Sequence, residues 1–120
     1  METRLRAIHV MPGAEGPEGR PHAHEYRCQA VVERRSLDDR GMVCDLDVLQ
    51  AALGDAVGRV EGKDLETIRP EGVEAVTVEV FARWMHGALA PSVAAGGGQT
   101  LAIRMWESEV AFGGYRAPVT

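Results

Sequence analysis

His22-Ala23-His24-Glu25-Tyr26-Arg27-Cys28-Gln29-Ala30-Val31-Val32-Glu33 is the stretch on which the fold turns. Tyr26, Cys28, Ala30 and Val32 alternate with Arg27, Gln29 and Glu33, with Val31 the exception. Successive side chains of an extended chain point to opposite faces, so this is the pattern of a half-buried β-strand. Upstream, residues 4–10 (RLRAIHV) are short and partly alternating, and read as a first strand. The intervening residues 11–21 (MPGAEGPEGRP) hold three glycines and three prolines, which neither helix nor strand tolerates. Strand, loop, strand in that order gives an antiparallel hairpin.

Downstream, Arg34 and Arg35 followed by Asp38 and Asp39 make a solvated turn. GMVCDLDVLQAALGDAVGRV then reads as a helix from about Asp45, with Leu46, Leu49, Leu53, Val57 and Val60 on one stripe. Asp45 or Asp47 suits its N-cap and the positive end of its dipole. A second helix is predicted from Val78 to about Leu89, capped by Thr77. Val80, Phe81, Trp84, Met85 and Ala88 form its apolar face, and Pro91 is expected to end it. AAGGGQT is a connection and not a phosphate loop, since no Lys-Ser/Thr follows and a helix precedes it. TLAIRMWE supplies a third strand, with Leu101, Ile103 and Met105 on one face, and VAFGGYRA a fourth. The order ββααββ predicts an α+β fold: a four-stranded antiparallel sheet with two helices on one face. Residues 1–120 read as a single domain. The sheet's two edges and its other face would stay uncovered in a chain this short, so oligomerisation is expected.

Composition narrows the function. At 120 residues and 13.0 kDa, with 45% hydrophobic and 26% charged residues, the chain is of ordinary globular type. A net charge of -5 with scattered basic residues argues against nucleic acid. No apolar run approaches the roughly 20 residues that span a bilayer. The N-terminal METRLRAIHV lacks a secretory h-region, so a cytoplasmic address is expected. Cys28 and Cys44 have no CxxC partner and read as reduced thiols, Cys28 as a small buried hydrophobe.

His22-Ala23-His24 carries the chemistry. Residues two apart on a strand share a face, roughly 6.5 Å apart, so both imidazoles can turn to one ion. The hairpin brings His9 alongside. Three histidines with no fourth protein donor leave an open position for water or substrate, the pattern of a catalytic zinc site. Imidazole also suits copper, nickel and iron. Spacing alone leaves open a metalloprotein of unspecified function or histidines that simply share a strand. His86, on the second helix, reads as a surface or interface residue.

These segments, taken together, resemble the 6-pyruvoyl-tetrahydropterin synthase family and its 6-carboxytetrahydropterin synthase relatives, which share the T-fold. His9, the Gly/Pro loop and His22-Ala23-His24-Glu25-Tyr26 match the family's His, loop and HGH motif, with Ala23 for glycine. Gly41-Met42-Val43-Cys44-Asp45-Leu46 is similar to its GMVxDF segment, and Val76-Thr77-Val78-Glu79-Val80 to its PTxE helix opening. Met105-Trp106-Glu107-Ser108 is similar to the ET segment that closes its third strand. The resemblance implies zinc on His9, His22 and His24, and a pterin-like ligand anchored by Glu107 with Thr77 nearby. It also implies a homo-oligomeric barrel, usually a hexamer of two stacked trimers. A carboxylate such as Glu107 can accept two N–H bonds from the guanidine-like edge of a pterin.

The catalytic residues of the family are not matched. Its loop cysteine, four residues before the HGH motif, falls on Glu18. Its Asp-His pair falls on Glu61 and Gly62. Cys28 is no substitute, lying roughly 13 Å along the strand from His24. A branch of the family carries glutamate in place of the cysteine and cleaves the dihydroneopterin side chain; resemblance to it implies an acid–base role for Glu18, which read by itself is equally a solvated loop residue. Two functions follow: a zinc-dependent lyase using Glu18, or a non-catalytic zinc-containing protein that binds a pterin or purine.

Overall fold

The computed structural model describes residues 1–120. It has four strands: β1 (Glu2–His9), β2 (His22–Glu33), β3 (Thr100–Trp106) and β4 (Phe112–Pro118). They form one antiparallel sheet in the order β1-β2-β3-β4. The helices α1 (Leu46–Val60) and α2 (Val78–Ala95) fill the connection from β2 to β3 and cover one face of the sheet. No helix is long and apolar enough to cross a membrane.

The alternation along the strands sets the core. Leu5 and Ala7, then Tyr26, Cys28 and Ala30, then Leu101, Ile103 and Met105 point inward and are buried. They meet Leu49, Leu53 and Val60 of α1, and Phe81, Met85, Leu89 and Val93 of α2. Each large apolar side chain withdrawn from water in this way contributes about 1.5–3 kcal/mol. Both helices start where their caps put them. The Asp45 carboxylate accepts from the N–H groups of Asp47 and Val48, and the Thr77 hydroxyl accepts from Val80 N–H at 3.1 Å.

Three expectations about the helices need correcting. Pro91 does not end α2, which runs on to Ala95. A proline costs a helix one N–H and crowds the carbonyl four residues earlier. Here that residue is Gly87 and both positions are exposed, while Val93, beyond the proline, is buried in the core and holds the last turn down. The buried stripe of α2 is Phe81, Ala82, Met85, His86, Leu89 and Val93, with Val80, Trp84 and Ala88 on its flanks. Leu46, in the first turn of α1, is 62% exposed. It borders an open apolar groove with Met1, Val31 and Val43.

One sheet edge is also less open than expected. Residues 60–64 leave α1 and run beside β1. Gly62 N–H donates to Arg6 C=O at 2.7 Å, Ile8 N–H donates to Lys63 C=O at 2.9 Å, and the Glu61 carboxylate accepts from Arg6 N–H at 3.0 Å. The turn is possible because Gly62 takes φ +71°. The outer edge of β4 carries no neighbouring strand.

Candidate metal centre

His9 is the last residue of β1 and His22 the first of β2, and the register pairs them directly. His24, two residues on, falls on the same face of the sheet as the core residue Tyr26. The hairpin therefore delivers the three imidazoles to one place, at the end of the core. Their ligating atoms all lie within 4.8 Å of one another. Ring centroids are 5.5 Å apart for His9 and His22, 5.9 Å for His9 and His24, and 4.5 Å for His22 and His24.

The hydrogen bonds orient the donors. His22 Nδ1 lies 2.7 Å from the Arg20 carbonyl, which can only accept, so Nδ1 donates there and Nε2 is the nitrogen turned to the other imidazoles. It lies 2.8 Å from His24 Nε2. His9 is 4% exposed, and neither of its ring nitrogens has a hydrogen-bond partner. A buried polar group left unpaired costs about 1–3 kcal/mol. A metal ion that accepts a nitrogen lone pair would remove that cost for the nitrogen it binds. Tetrahedral zinc at 2.0–2.1 Å from each ligand separates two nitrogens by roughly 3.4 Å, against 2.8 Å between His22 and His24 and no more than 4.8 Å between any two of the triad. The donor set fits a zinc ion. Burial, and secondly the neighbouring His22, hold His24 below the ordinary histidine pKa, with Glu107 opposing them. The neutral, ligating form is therefore favoured.

Glu18 sits in a 3-10 turn, Gly16–Gly19, inside the Gly/Pro loop. Its carbonyl accepts from Met11 N–H at 2.7 Å, which closes the loop. Any side chain at Gly19 would collide with the Ala14 carbonyl, so the loop needs glycine there. The Glu18 carboxylate lies 3.7 Å from His22 Nε2 and is 63% exposed. Glu107 follows β3, and continuing the register by one residue places it opposite Tyr26 on the face that holds the triad. Its charge acts on both His24 and Tyr26. The three histidines, Glu18 and Glu107 thus gather at one end of the molecule.

Other candidates fall elsewhere. The Thr77 hydroxyl is engaged as the cap of α2, although the helix start lies over the same end of the sheet. There Gly113 of β4 makes room for Val78 and Glu79. Gly62 belongs to the turn along β1, and Glu61 is bonded to Arg6 N–H. Cys28 is fully buried, and burial pushes its thiol up to about 12, which leaves it protonated and inert.

Two residues play parts that sequence reasoning missed. Tyr26 stands edge-on to His24 at 5.7 Å and to Phe81 at 5.1 Å, forming the floor between the triad and the core. Its place in the His-x-His-x-Tyr alternation was the available signal. His86, expected at the surface or an interface, is instead buried within the chain: its Nε2 lies 3.0 Å from the Ala117 carbonyl and its ring packs on Tyr115. The spacing Ala82, His86, Leu89, Val93 marks that buried stripe.

Residues 1–118 match the family model described as 6-pyruvoyl tetrahydropterin synthase. No curated protein matches the chain in sequence. Among solved structures, the chain is similar to 6-pyruvoyl tetrahydropterin synthase from Caenorhabditis elegans, with a TM-score of 0.73 at 20% identity over 98% of this chain and 92% of that one. It is also similar to the Plasmodium falciparum enzyme, with a TM-score of 0.70 at 12% identity over 98% and 91%. A third is a Plasmodium vivax 6-pyruvoyltetrahydropterin synthase in which a glutamate, described as a catalytic residue, is replaced by cysteine. Its TM-score is 0.70 at 9% identity over 98% and 99%. At such identities the likeness is one of fold.

Proposed function

Because the chain belongs to the 6-pyruvoyl tetrahydropterin synthase family across residues 1–118, we propose that it is a zinc-dependent, lyase-like protein acting on a pterin or related bicyclic ligand, with non-standard acid–base residues. The observation that carries this reading is the convergence of His9, His22 and His24 with the Glu18 carboxylate beside them. Zinc on the three imidazoles would polarise oxygens of the ligand's side chain and acidify neighbouring protons. Glu18 would take up such a proton on its carboxylate, from an exposed position that a ligand side chain can reach. Glu107 would accept two N–H bonds from the ring, a charge-assisted pair that fixes its orientation. Tyr26 and Phe81 beneath the triad would keep water from its inner side. The Plasmodium vivax relative, whose catalytic residue is described as a glutamate, supports giving this role to Glu18. We further propose that residues 1–120 act as one domain within a cytoplasmic homo-oligomer, a hexamer by analogy with the family.

A specific observation favours a second reading. Gly62, where the family's catalytic histidine would fall, is a tight turn with no side chain, and His86, on α2, is bonded to Ala117. A protein that holds zinc and a pterin or purine without turning it over would need His9, His22, His24 and Glu107, but not Glu18.

Replacing Glu18 with Gln separates the two. For the lyase, Glu18→Gln should lower turnover of a reduced pterin with an intact side chain by roughly 10²–10⁴-fold. Zinc content and ligand affinity should hold. Tight binding by the unmodified chain with no turnover would favour the binding protein. Turnover unchanged in the variant would remove Glu18 from the mechanism.

A further inference from the structure

The sheet face turned away from the helices carries an arrangement that the metal centre does not use. Alternation and register put Arg4, Arg6, Arg27, Arg104 and Arg116 on this face, against Glu2, Glu25 and Glu33. The strand residues of this face therefore carry an excess of two positive charges, which Glu109 in the turn between β3 and β4 lowers to one, on a chain whose net charge is -5. One row crosses all four strands: Arg4 pairs with Arg27, Arg27 with Trp106, and Trp106 with Phe112.

Like charges directly opposite on neighbouring strands repel. Neither Arg4 nor Arg27 has a carboxylate within salt-bridge distance. Two of the face's acids are engaged away from this row: Glu2 accepts from Gln29 at 3.2 Å and Glu33 accepts from Arg116 at 3.1 Å, while Glu25, opposite Arg6 in the register, reaches the row's own end of the sheet. Arg27 is nevertheless held in place. Its guanidinium carbon lies 4.0 Å from the centre of the Trp106 ring, and Trp106 packs on Phe112 at 4.8 Å. Such cation–π contact fixes the plane of the guanidinium before any ligand arrives. Beside it is a cavity of about 400 Å³ lined by Arg4, Arg27, Trp106 and Ser108, with Glu25 and Glu109 completing the wall. Ser108 Oγ accepts from the N–H groups of Val110 and Ala111, so its own proton is free to donate.

We propose that this cavity is an anion site, taking a phosphate-type oxyanion, free or as the phosphoryl group of a larger molecule. Arg4 and Arg27 clamp it from two strands, and the Ser108 hydroxyl is the third donor. Guanidinium forks match phosphate oxygens in pairs. An oxyanion between the two arginines turns a repulsive cross-strand pair into a bridged one. Glu25 and Glu109 limit the site to a single phosphoryl group, since an extended polyanion would meet their charge.

Titrating inorganic phosphate and phenyl phosphate by calorimetry at low ionic strength tests the site, with thermal midpoints measured alongside. The chain as it stands and Arg104→Gln, on the same face but outside the cavity wall, should bind saturably. Arg4→Gln and Arg27→Gln should each bind roughly tenfold more weakly or worse, as expected when one partner of a charge-assisted pair is lost. Arg4 is exposed, so Arg4→Gln should fold and, without phosphate, melt no lower than the parent. His24→Ala should keep its phosphate affinity, which separates this site from the metal. Stronger binding of phenyl phosphate would point to a phosphorylated organic ligand, and equal binding to the free ion. Unchanged affinity in Arg4→Gln would overturn the proposal. So would loss of binding in His24→Ala, or a non-saturating stabilisation shared by every variant, the mark of general salt exclusion.

Discussion

Substituting His9 with leucine should change the sign of its effect on stability according to whether metal is present. His9 is buried with both ring nitrogens unpaired. In metal-free protein that arrangement costs about 1–3 kcal/mol, and leucine, apolar and of similar volume, relieves it. His9→Leu in excess chelator should therefore be about 1–2 kcal/mol more stable than the parent, after a small loss for imperfect shape. Zinc reverses the order. A parent chain at a zinc concentration 100 times its Kd gains about 2.7 kcal/mol, whereas the variant keeps only His22 and His24 and gains little. The variant should then be the less stable of the two, by about 1 kcal/mol. For a chain of this length each kcal/mol moves the midpoint by roughly 4 °C, so the crossing is readable in a thermal scan. Both proteins are melted at one protomer concentration, in chelator and in zinc, because assembly would itself shift the midpoint. A leucine variant equally destabilised in both buffers would refute the reasoning, since His9 would then be a packing residue and not a ligand awaiting its ion.

Glu107→Gln should leave zinc content intact yet weaken pterin binding by about 1.5–3 kcal/mol, because an amide offers a donor where the ring edge also donates. Calorimetry with metal analysis on the same samples checks it, and unchanged affinity would remove Glu107 as the ring anchor. Thr77→Ala should cost about 1 kcal/mol in urea unfolding through loss of the α2 cap, with no change in ligand affinity if capping is its whole role. Cys28 holds its proton in the folded chain up to about pH 12, against an ordinary value of 9.0. Its contribution to stability is therefore complete below pH 9.0 and lost as the pH rises from there towards about 12. Alkylation at pH 8 should accordingly modify half-exposed Cys44 first and reach Cys28 only on unfolding. Mass spectrometry of the labelled chain would show otherwise if Cys28 were reactive.

The strands were legible because a half-buried sheet writes its two faces into a period of two. Tyr26, Cys28 and Ala30, like Leu101, Ile103 and Met105, needed no tertiary information to be placed inside. The triad was legible for the same reason: His22 and His24 share a face, and a short loop brings His9 opposite. Where tertiary packing overrides local preference, the sequence misleads. Pro91 is a local stop signal, but Val93 beyond it has a core to enter. His86 looks polar in isolation, yet a backbone carbonyl on β4 satisfies it. Leu46 fits the helical stripe but lies in a turn that the sheet does not cover. The pairing of residues 60–64 with β1 left no pattern in the sequence, because it is made by backbone groups that any residue carries.

That pairing closes only part of the edge. Arg6 and Ile8 are bonded to residues 61–63, while the outward backbone groups of Glu2 and Arg4 have no strand beside them. A strand from another copy that adds to β1 must therefore halt at about Arg4, displaced towards the start of the strand. Sheets joined side by side with such an offset lie slanted to one another, and a ring of them can close only when its strands are slanted. The turn after α1 would then be a mechanical stop. The bonds that blunt one end of β1 against indiscriminate strand addition would, in such a ring, also fix how far each neighbour slides along the other.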